Sequence, residues 1–196
     1  MKTVIIKYNA GNIFSVDYAL KRIGVEAEIT DNADKILSAD KVIFPGVGEA
    51  ETTMNYLRAH KLDELIKNLK QPTLGICIGL QLMCRHSEEG NTSCLDIFGE
   101  EVKRFVATNK SQKIPHIGWN TLKFKPSPLF AGIEQGANVY YVHSYFASVG
   151  KDTMATTDYI TSFSATLQKN NFYAVQFHPE KSGAVGEKIL RNFIEI

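Results

Sequence analysis

The sequence predicts one α/β domain over residues 1–196, with a central, mostly parallel sheet flanked by helices and a β-rich second half. Up to about Ile97, apolar runs of strand length alternate with stretches whose apolar residues recur at helical spacing, an alternation that implies a parallel sheet covered on both faces. Beyond Ile97 the pattern changes to short strand-like runs separated by turn residues. A chain of 196 residues supports one sizeable core and is short for two, at a soft prior of roughly 150 residues per domain.

Thr3 to Tyr8 reads as the first strand, Phe14 to Ile23 as an amphipathic helix closed by Gly24, and Val25 to Thr30 as the second strand, a βαβ opening. The loop Asn9-Ala10-Gly11-Asn12 is too poor in glycine for a G-x-G-x-x-G dinucleotide fingerprint, which argues against a nucleotide cofactor there. Asp31 to Leu37 reads as a short helix, Lys41 to Phe44 as a third strand ending in Pro45-Gly46-Val47-Gly48, and Glu49 to His60 and Leu62 to Leu69 as helices. Thr73 to Ile76 is a buried fourth strand. From Gly79 onward, Leu80, Met83 and Cys84 fall at helical spacing, so a sharp strand-to-helix turn lies between, at Cys77. In the second half the strand-like runs are Val102 to Val106, Thr121 to Phe124, Val139 to Val142, Ser162 to Leu167 and Tyr173 to Phe177. Pro126-Ser127-Pro128 marks a turn and Asn170-Asn171 a hairpin, and a helix from Val185 to Ile194 carries Ile189, Leu190 and Phe193 on one side.

With 22 Lys and Arg against 21 Asp and Glu, the formal charge of +1 gives no electrostatic reason to expect nucleic acid or an anionic membrane as partner. The segment Met1-Lys2-Thr3-Val4-Ile5-Ile6 enters a strand pattern directly, and no apolar run approaches bilayer length, so a cytoplasmic protein is expected. The three cysteines show no C-x-x-C spacing and no His/Cys cluster has zinc-ligand spacing, so neither a disulfide framework nor a metal is suggested. No cofactor is expected, and Cys84 and Cys94 read as packing residues.

Chemistry concentrates at Cys77. Gly75 and Gly79, two residues to either side, have the form of a nucleophile elbow, in which small residues let the backbone bend and push a reactive side chain into the open. A thiol at a helix N-terminus meets unpaired N–H groups and the positive end of the macrodipole, which favour thiolate. A buried core cysteine is the competing reading, and the turn alone does not separate the two. Among the five histidines, His60 and His86 fall at polar helix ends. His178 directly follows an apolar strand and precedes Pro179-Glu180, and in extended backbone Glu180 would point the same way and hold one imidazole tautomer. Cysteine elbow, strand-end histidine and carboxylate together make a Cys77–His178–Glu180 triad. The Pro45–Gly48 loop, at another strand end, lacks the Gly-Lys-Ser/Thr of a phosphate loop; it is an ordinary βα turn or a source of backbone donors for an oxygen.

Gly75-Ile76-Cys77-Ile78-Gly79-Leu80-Gln81, Pro45-Gly46-Val47-Gly48 and Gln176-Phe177-His178-Pro179-Glu180 resemble the three signatures of triad-type, class I glutamine amidotransferases, whose fold is a flavodoxin-like α/β sheet. Tyr8-Asn9-Ala10-Gly11-Asn12, Ser87-Glu88-Glu89, Pro115-His116-Ile117-Gly118-Trp119-Asn120 and Tyr140-Tyr141-Val142-His143-Ser144-Tyr145 further resemble the glutaminase subunits of imidazole glycerol phosphate synthases, the Pro-His-Ile-Gly-Trp-Asn run being the most discriminating. Asn9 stands where glycine is common and Ile78 where leucine is common.

The resemblance implies that Cys77 attacks the side-chain amide of L-glutamine, with His178 as base and acid, Glu180 orienting it, and a glutamyl thioester as intermediate. It implies an oxyanion hole from the backbone of Val47 and Ile78, Val47 being free to flip between two glycines. A glutamine pocket of Gly48, Gln81, Glu89, Ser144 and Tyr145 is implied as well. The partner implied is a (β/α)₈-barrel cyclase that receives the ammonia in histidine biosynthesis, contacted by His116, Trp119, Asn120, Tyr140 and Lys181. Taken without the resemblance, Trp119 reads as a core residue; taken with it, as an exposed anchor. Three other readings stay open: a paralogue feeding another amination such as that of a sugar, a stand-alone cysteine hydrolase, and a degenerate binding domain, which the intact triad disfavours.

Overall fold

The computed structural model describes residues 1–9 and 11–196; Ala10, in the first connecting loop of the motif above, lies outside the described residues. The first half runs β1 (Thr3–Ile6), α1 (Ile13–Arg22), β2 (Ala27–Thr30), α2 (Ala33–Leu37), β3 (Lys41–Phe44), α3 (Ala50–Ala59), α4 (Leu62–Lys67), β4 (Thr73–Ile76) and α5 (Ile78–Met83). The second half is β5 (His86–Ser87), β6 (Thr92–Ser93), β7 (Glu101–Arg104), β8 (His116–Thr121), β9 (Lys123–Phe124), β10 (Asn138–His143), β11 (Tyr145–Ala147), β12 (Thr153–Asp158), β13 (Ser162–Lys169), β14 (Phe172–Val175) and α6 (Gly183–Glu195). The predicted alternation and the β-rich half are both present. The expected strand Thr121 to Phe124 divides into the end of β8 and the short β9, and β12 was not anticipated, because Thr153–Asp158 is threonine-rich and lacks an apolar run.

The main sheet has the order β2-β1-β3-β4-β14-β13-β11-β7-β5-β6, with β12 on β13 and β9 on β12. It is parallel from β2 to β14 and mainly antiparallel beyond, so it is a mixed sheet. Its central parallel strands β1, β3, β4 and β14 are covered on both faces, while the edge strand β2 is only partly buried. Val4, Ile6, Val42 and Phe44 point to the layer of α2, α3, α4 and α5, while Ile5, Ile43, Leu74 and Ile76 point to that of α1 and α6. That double burial is why these strands read as unbroken apolar runs. Each fully buried Val, Leu or Ile contributes about 1.5–3 kcal/mol of transfer free energy.

The decisive pairing joins distant segments. After β4 and the elbow, the chain builds most of the second half before β14 returns beside β4, parallel to it, in the register Val175↔Ile76. Cys77 and His178 therefore emerge at the same sheet edge. The hairpin between β13 and β14 turns at Asn170-Asn171 as predicted. Outside the main sheet, β8 and β10 form an antiparallel ribbon pairing Trp119 with Tyr140 and His116 with His143.

The elbow glycines are required by packing. A Cβ on Gly79 would lie 2.1 Å from the Phe44 carbonyl oxygen, and one on Gly75 would lie 2.9 Å from Met83 Sδ. These contacts let α5 sit directly on the sheet. Gly79→Ala should cost about 1–3 kcal/mol through overpacking, read as a lower urea midpoint at unchanged m-value; a wild-type midpoint would show that Phe44 yields freely.

Candidate active site

At the end of β4 the backbone turns within one residue. Cys77 has φ 55° and ψ −106°, a conformation that a non-glycine residue holds only when its surroundings enforce it, at a cost of order 1–3 kcal/mol. The enforcing contact is the Cys77 N–H donating to the Val175 carbonyl at 2.8 Å. Cys77 is only 6% exposed, so the thiol is recessed instead of standing in the open. It lies in a cleft of about 340 Å³ whose walls include Val47, Gly48, Gln81, Glu89, Ser144 and Tyr145. The five residues expected around glutamine thus share one cavity with the cysteine.

His178 and Glu180 are buried at the end of β14, Nδ1 lying 2.7 Å from Glu180 Oε1. Their pairing differs from the extended geometry expected, because Pro179–Lys181 forms a 3₁₀ turn that brings the carboxylate back beneath the ring. The His178 N–H donates to the Tyr140 carbonyl at 2.9 Å, tying the histidine's backbone to the β8–β10 ribbon. With Nδ1 engaged, Nε2 is the nitrogen left for chemistry, and it is buried without a hydrogen-bond partner among the described residues. Burial works against a charged imidazole, but Cys77 and Glu180 outweigh it and raise the His178 pKa to about 10. Cys77, His178 and Glu180 thus form an electrostatic unit that favours imidazolium at neutral pH.

Asn12 completes this cluster and was not assigned a role from the sequence. It precedes α1 in a left-handed conformation, φ 73°, and its side chain does not cap that helix. Its amide nitrogen instead donates to Glu180 Oε1 and lies 3.5 Å from His178 Nδ1. In the sequence Asn12 has the appearance of an ordinary helix cap, which carries no signal of this partner. Gln176 was also passed over: its amide faces Cys77 Sγ at 3.7 Å and its Oε1 accepts from Gln81 Nε2 at 3.1 Å.

The loop after β3 holds its peptide in a definite orientation. The Ile78 N–H points at the Gly46 carbonyl, 3.4 Å away, and the Val47 carbonyl accepts from the Gly11 N–H at 3.3 Å. Because a trans peptide sets its C=O and N–H on opposite sides, the Val47 N–H faces away from Ile78. The two expected oxyanion donors do not converge in this state. Rotation of the Gly46–Val47 peptide would exchange a carbonyl for an N–H at that point. Buried Tyr8 braces the hinge by donating its hydroxyl to the Pro45 carbonyl. A side chain at Gly46 would collide with it, the Cβ falling 2.0 Å from the phenolic oxygen. Burial, together with the nearby Cys77 charge, raises the Tyr8 pKa strongly, so the hydroxyl stays protonated.

Glu89 spends part of its carboxylate at the start of α3, where Oε2 accepts from the Ala50 N–H at 2.8 Å. Burial raises its pKa, an effect that an ammonium group at the carboxylate would offset. Of the residues expected to face a partner, Trp119 is 58% exposed and packs edge-on to Tyr140, ring centroids 5.9 Å apart. The core-filling reading of Trp119 is thereby overturned. Lys181 is exposed and Asn120 partly so. His116 departs from expectation: at 3% exposure it lies beneath the ribbon, opposite the exposed Ile117 and Trp119, because alternate residues of β8 face opposite sides, and Asn120 on its own face lies 3.4 Å from its Nε2.

Comparison with known proteins agrees with this geometry. The family described as Glutamine amidotransferase class-I matches residues 4–196. An imidazole glycerol phosphate synthase subunit HisH of Bacteroides thetaiotaomicron is 62% identical over 100% of both chains. The HisH subunit of Pasteurella multocida is 46% identical over 97% of this chain and 96% of its own. Among solved structures, one described as a glutamine amidotransferase aligns with a TM-score of 0.75 at 17% identity, over 98% of this chain and 97% of its own. PurLQS from Thermotoga maritima aligns with a TM-score of 0.75 at 16% identity, over 99% and 97%. The two structures share the fold, while the family match and the full-length relatives share the sequence itself. By these matches the chain belongs to the class-I glutamine amidotransferase family.

Proposed function

We propose that the chain is the glutaminase subunit of an imidazole glycerol phosphate synthase, converting L-glutamine and water to L-glutamate and ammonia. The observation that carries the chemistry is the buried His178–Glu180 pair set beside a strained cysteine at the floor of an amino-acid-sized cleft. The Cys77 thiolate attacks the amide carbon of the glutamine side chain. His178 then delivers a proton to the departing nitrogen, ammonia leaves, and a glutamyl thioester remains on Cys77. The neutral imidazole next takes a proton from water, whose oxygen attacks the thioester and releases glutamate. Glu180, held by Asn12, orients the ring through both steps. Glu89 suits the α-ammonium of the substrate.

Each tetrahedral intermediate carries an oxyanion, for which Ile78 N–H is one donor and Val47 N–H the second after its peptide turns. The resting orientation explains why such a subunit would work slowly alone. We further propose that ammonia passes to a (β/α)₈-barrel cyclase seated on the exposed faces of Trp119, Tyr140, Asn120 and Lys181. Contact with that partner would trigger the peptide rotation, and the setting of this reading is the cytoplasm. Support for the pathway comes from the relatives named above, which are imidazole glycerol phosphate synthase subunits HisH. One domain over residues 1–196 suffices for this role.

The full chain should release ammonia from glutamine slowly, accelerate strongly with the cyclase of the same organism and its nucleotide ligand, and lose both activities in Cys77→Ala. Fast turnover without partner would favour the stand-alone hydrolase, and no acceleration would favour a paralogue. Val47→Pro, which deletes the proposed donor, should lower kcat of the stimulated enzyme by about 10²–10³; a stimulated rate close to that of wild type would remove Val47 from the oxyanion hole. Trp119→Ala should weaken complex formation or let ammonia escape to solvent while the basal rate persists. Unaltered affinity together with unaltered coupling would exclude the ribbon as the docking face.

A further inference from the structure

Beneath the β8–β10 ribbon lies a chain of hydrogen bonds that the proposed mechanism does not use. His143, at the end of β10, places Nδ1 2.8 Å from the carbonyl oxygen of Tyr145, two residues on. A carbonyl only accepts, so Nδ1 carries the proton. Both histidines are neutral, since burial lowers the His143 pKa to about 3 and the His116 pKa to about 4. The Nε2 of His143 is therefore bare and accepts from His116 Nδ1, 3.0 Å away. By the same logic His116 Nε2 is bare, and the Asn120 amide nitrogen faces it at 3.4 Å. The amide's orientation is set independently, because Asn120 Oδ1 accepts the Thr121 N–H at 2.8 Å and Nδ2 donates to the Asp158 carbonyl at 3.0 Å. Every step thus points one way, from the partly exposed Asn120 to the Tyr145 carbonyl.

That carbonyl is also where the substrate cleft begins. It accepts Gln81 Nε2 at 2.9 Å, and His143, Ser144 and Tyr145 form one wall of the cavity that holds Cys77. The rings have little freedom to rearrange. His116 is stacked between Tyr159, at a centroid distance of 3.9 Å, and Tyr141, at 4.8 Å.

Resting on the glutaminase reading above, we propose that His116 and His143 are positioning residues for glutamine binding. Their unidirectional chain fixes the bend between β10 and β11 and makes the shape of the pocket wall depend on the hydrogen-bond state of Asn120 on the ribbon. An acceptor in place of the Asn120 donor would reverse the chain without a net gain of protons. His116 would carry its proton on Nε2, His143 would follow to keep a donor facing the bare Nδ1 of His116, and the bare Nδ1 of His143 would then oppose the Tyr145 carbonyl. Ser144 and Tyr145 would be released from their present position. A partner group that competes for the Asn120 amide would act in the same sense.

The test uses the full chain labelled with ¹⁵N-histidine. Ring-nitrogen spectra should show His116 and His143 both protonated at Nδ1 and bare at Nε2; an Nε2-protonated tautomer at either would overturn the proposal. Asn120→Asp should shift the His143 ring signals and raise KM for glutamine by about 5- to 10-fold with kcat nearly unchanged. An unmoved His143 spectrum or an unmoved KM would overturn it. His116→Leu should raise KM similarly and His116→Asn should restore much of the loss, because its amide keeps the donor toward His143. Equal defects in the two variants would reduce His116 to a packing residue. Should the wild-type chain hydrolyse no glutamine, the proposed function fails, while the spectra of wild type and Asn120→Asp still decide whether the chain of hydrogen bonds exists.

Discussion

The site depends on one long-range pairing, that of β14 beside β4 in parallel register. These strands are separated by most of the second half of the chain, yet the Val175 carbonyl meets the Cys77 N–H at 2.8 Å and stops both strands at the same level. Side-chain direction alternates along a strand, so a slip of one residue would turn His178 to the opposite face from the cysteine. The spacing of Cys77 and His178 is thereby held by backbone hydrogen bonds in a core that is apolar on both faces. The Pro45–Gly48 loop and the ribbon are attached around this fixed pair.

A fixed pair at the strand ends contrasts with the loop beside it. Cys77 has the strained backbone of an elbow and His178 has its carboxylate, while the Gly46 carbonyl stands where the proposed mechanism calls for a second donor. The missing element is a single peptide orientation, bounded by a glycine that tolerates no side chain and a tyrosine hydroxyl that holds the preceding carbonyl. Such an arrangement separates construction of the nucleophile from permission to use it. In the proposed function, an ammonia source whose product is easily lost to solvent benefits from that separation, because a small peptide rotation would complete the site with no refolding.

Much of the fold was legible because buried parallel strands and amphipathic helices write their periods directly into the sequence. The elbow was legible for a different reason: only closely packed backbone explains glycines at 75 and 79, and the contacts of Gly79 with Phe44 and of Gly75 with Met83 bear that out. What escaped were interactions between residues far apart whose own neighbourhoods look ordinary. Asn12 looks like a helix cap, Gln176 like part of a strand, and His116 like one more residue of an interface motif. Nothing local says that Asn12 turns to Glu180, or which face of β8, that of His116 or that of Trp119, is the buried one. Glu180 shows the converse, a correct pairing reached through a turn where an extended strand was expected.

The ribbon joins these two classes of feature. On its outer face Trp119 and Tyr140 present aromatic surface, and on its inner side the backbone of Tyr140 receives the His178 N–H while His116 and His143 carry hydrogen bonds to the cleft. Two neutral histidines are a costly way to fill space, since an apolar pair of similar volume would pack there without polar atoms to satisfy. Their advantage is directional. Each imidazole binds a donor on one side and an acceptor on the other, so neither ring can be reversed alone, and a change at the surface end is felt at Tyr145 with little movement between. Stacked against Tyr141 and Tyr159, the rings are confined enough for that constraint to hold. The same two-stranded element therefore supports His178 through its backbone and the wall of the Cys77 cleft through its buried side chains.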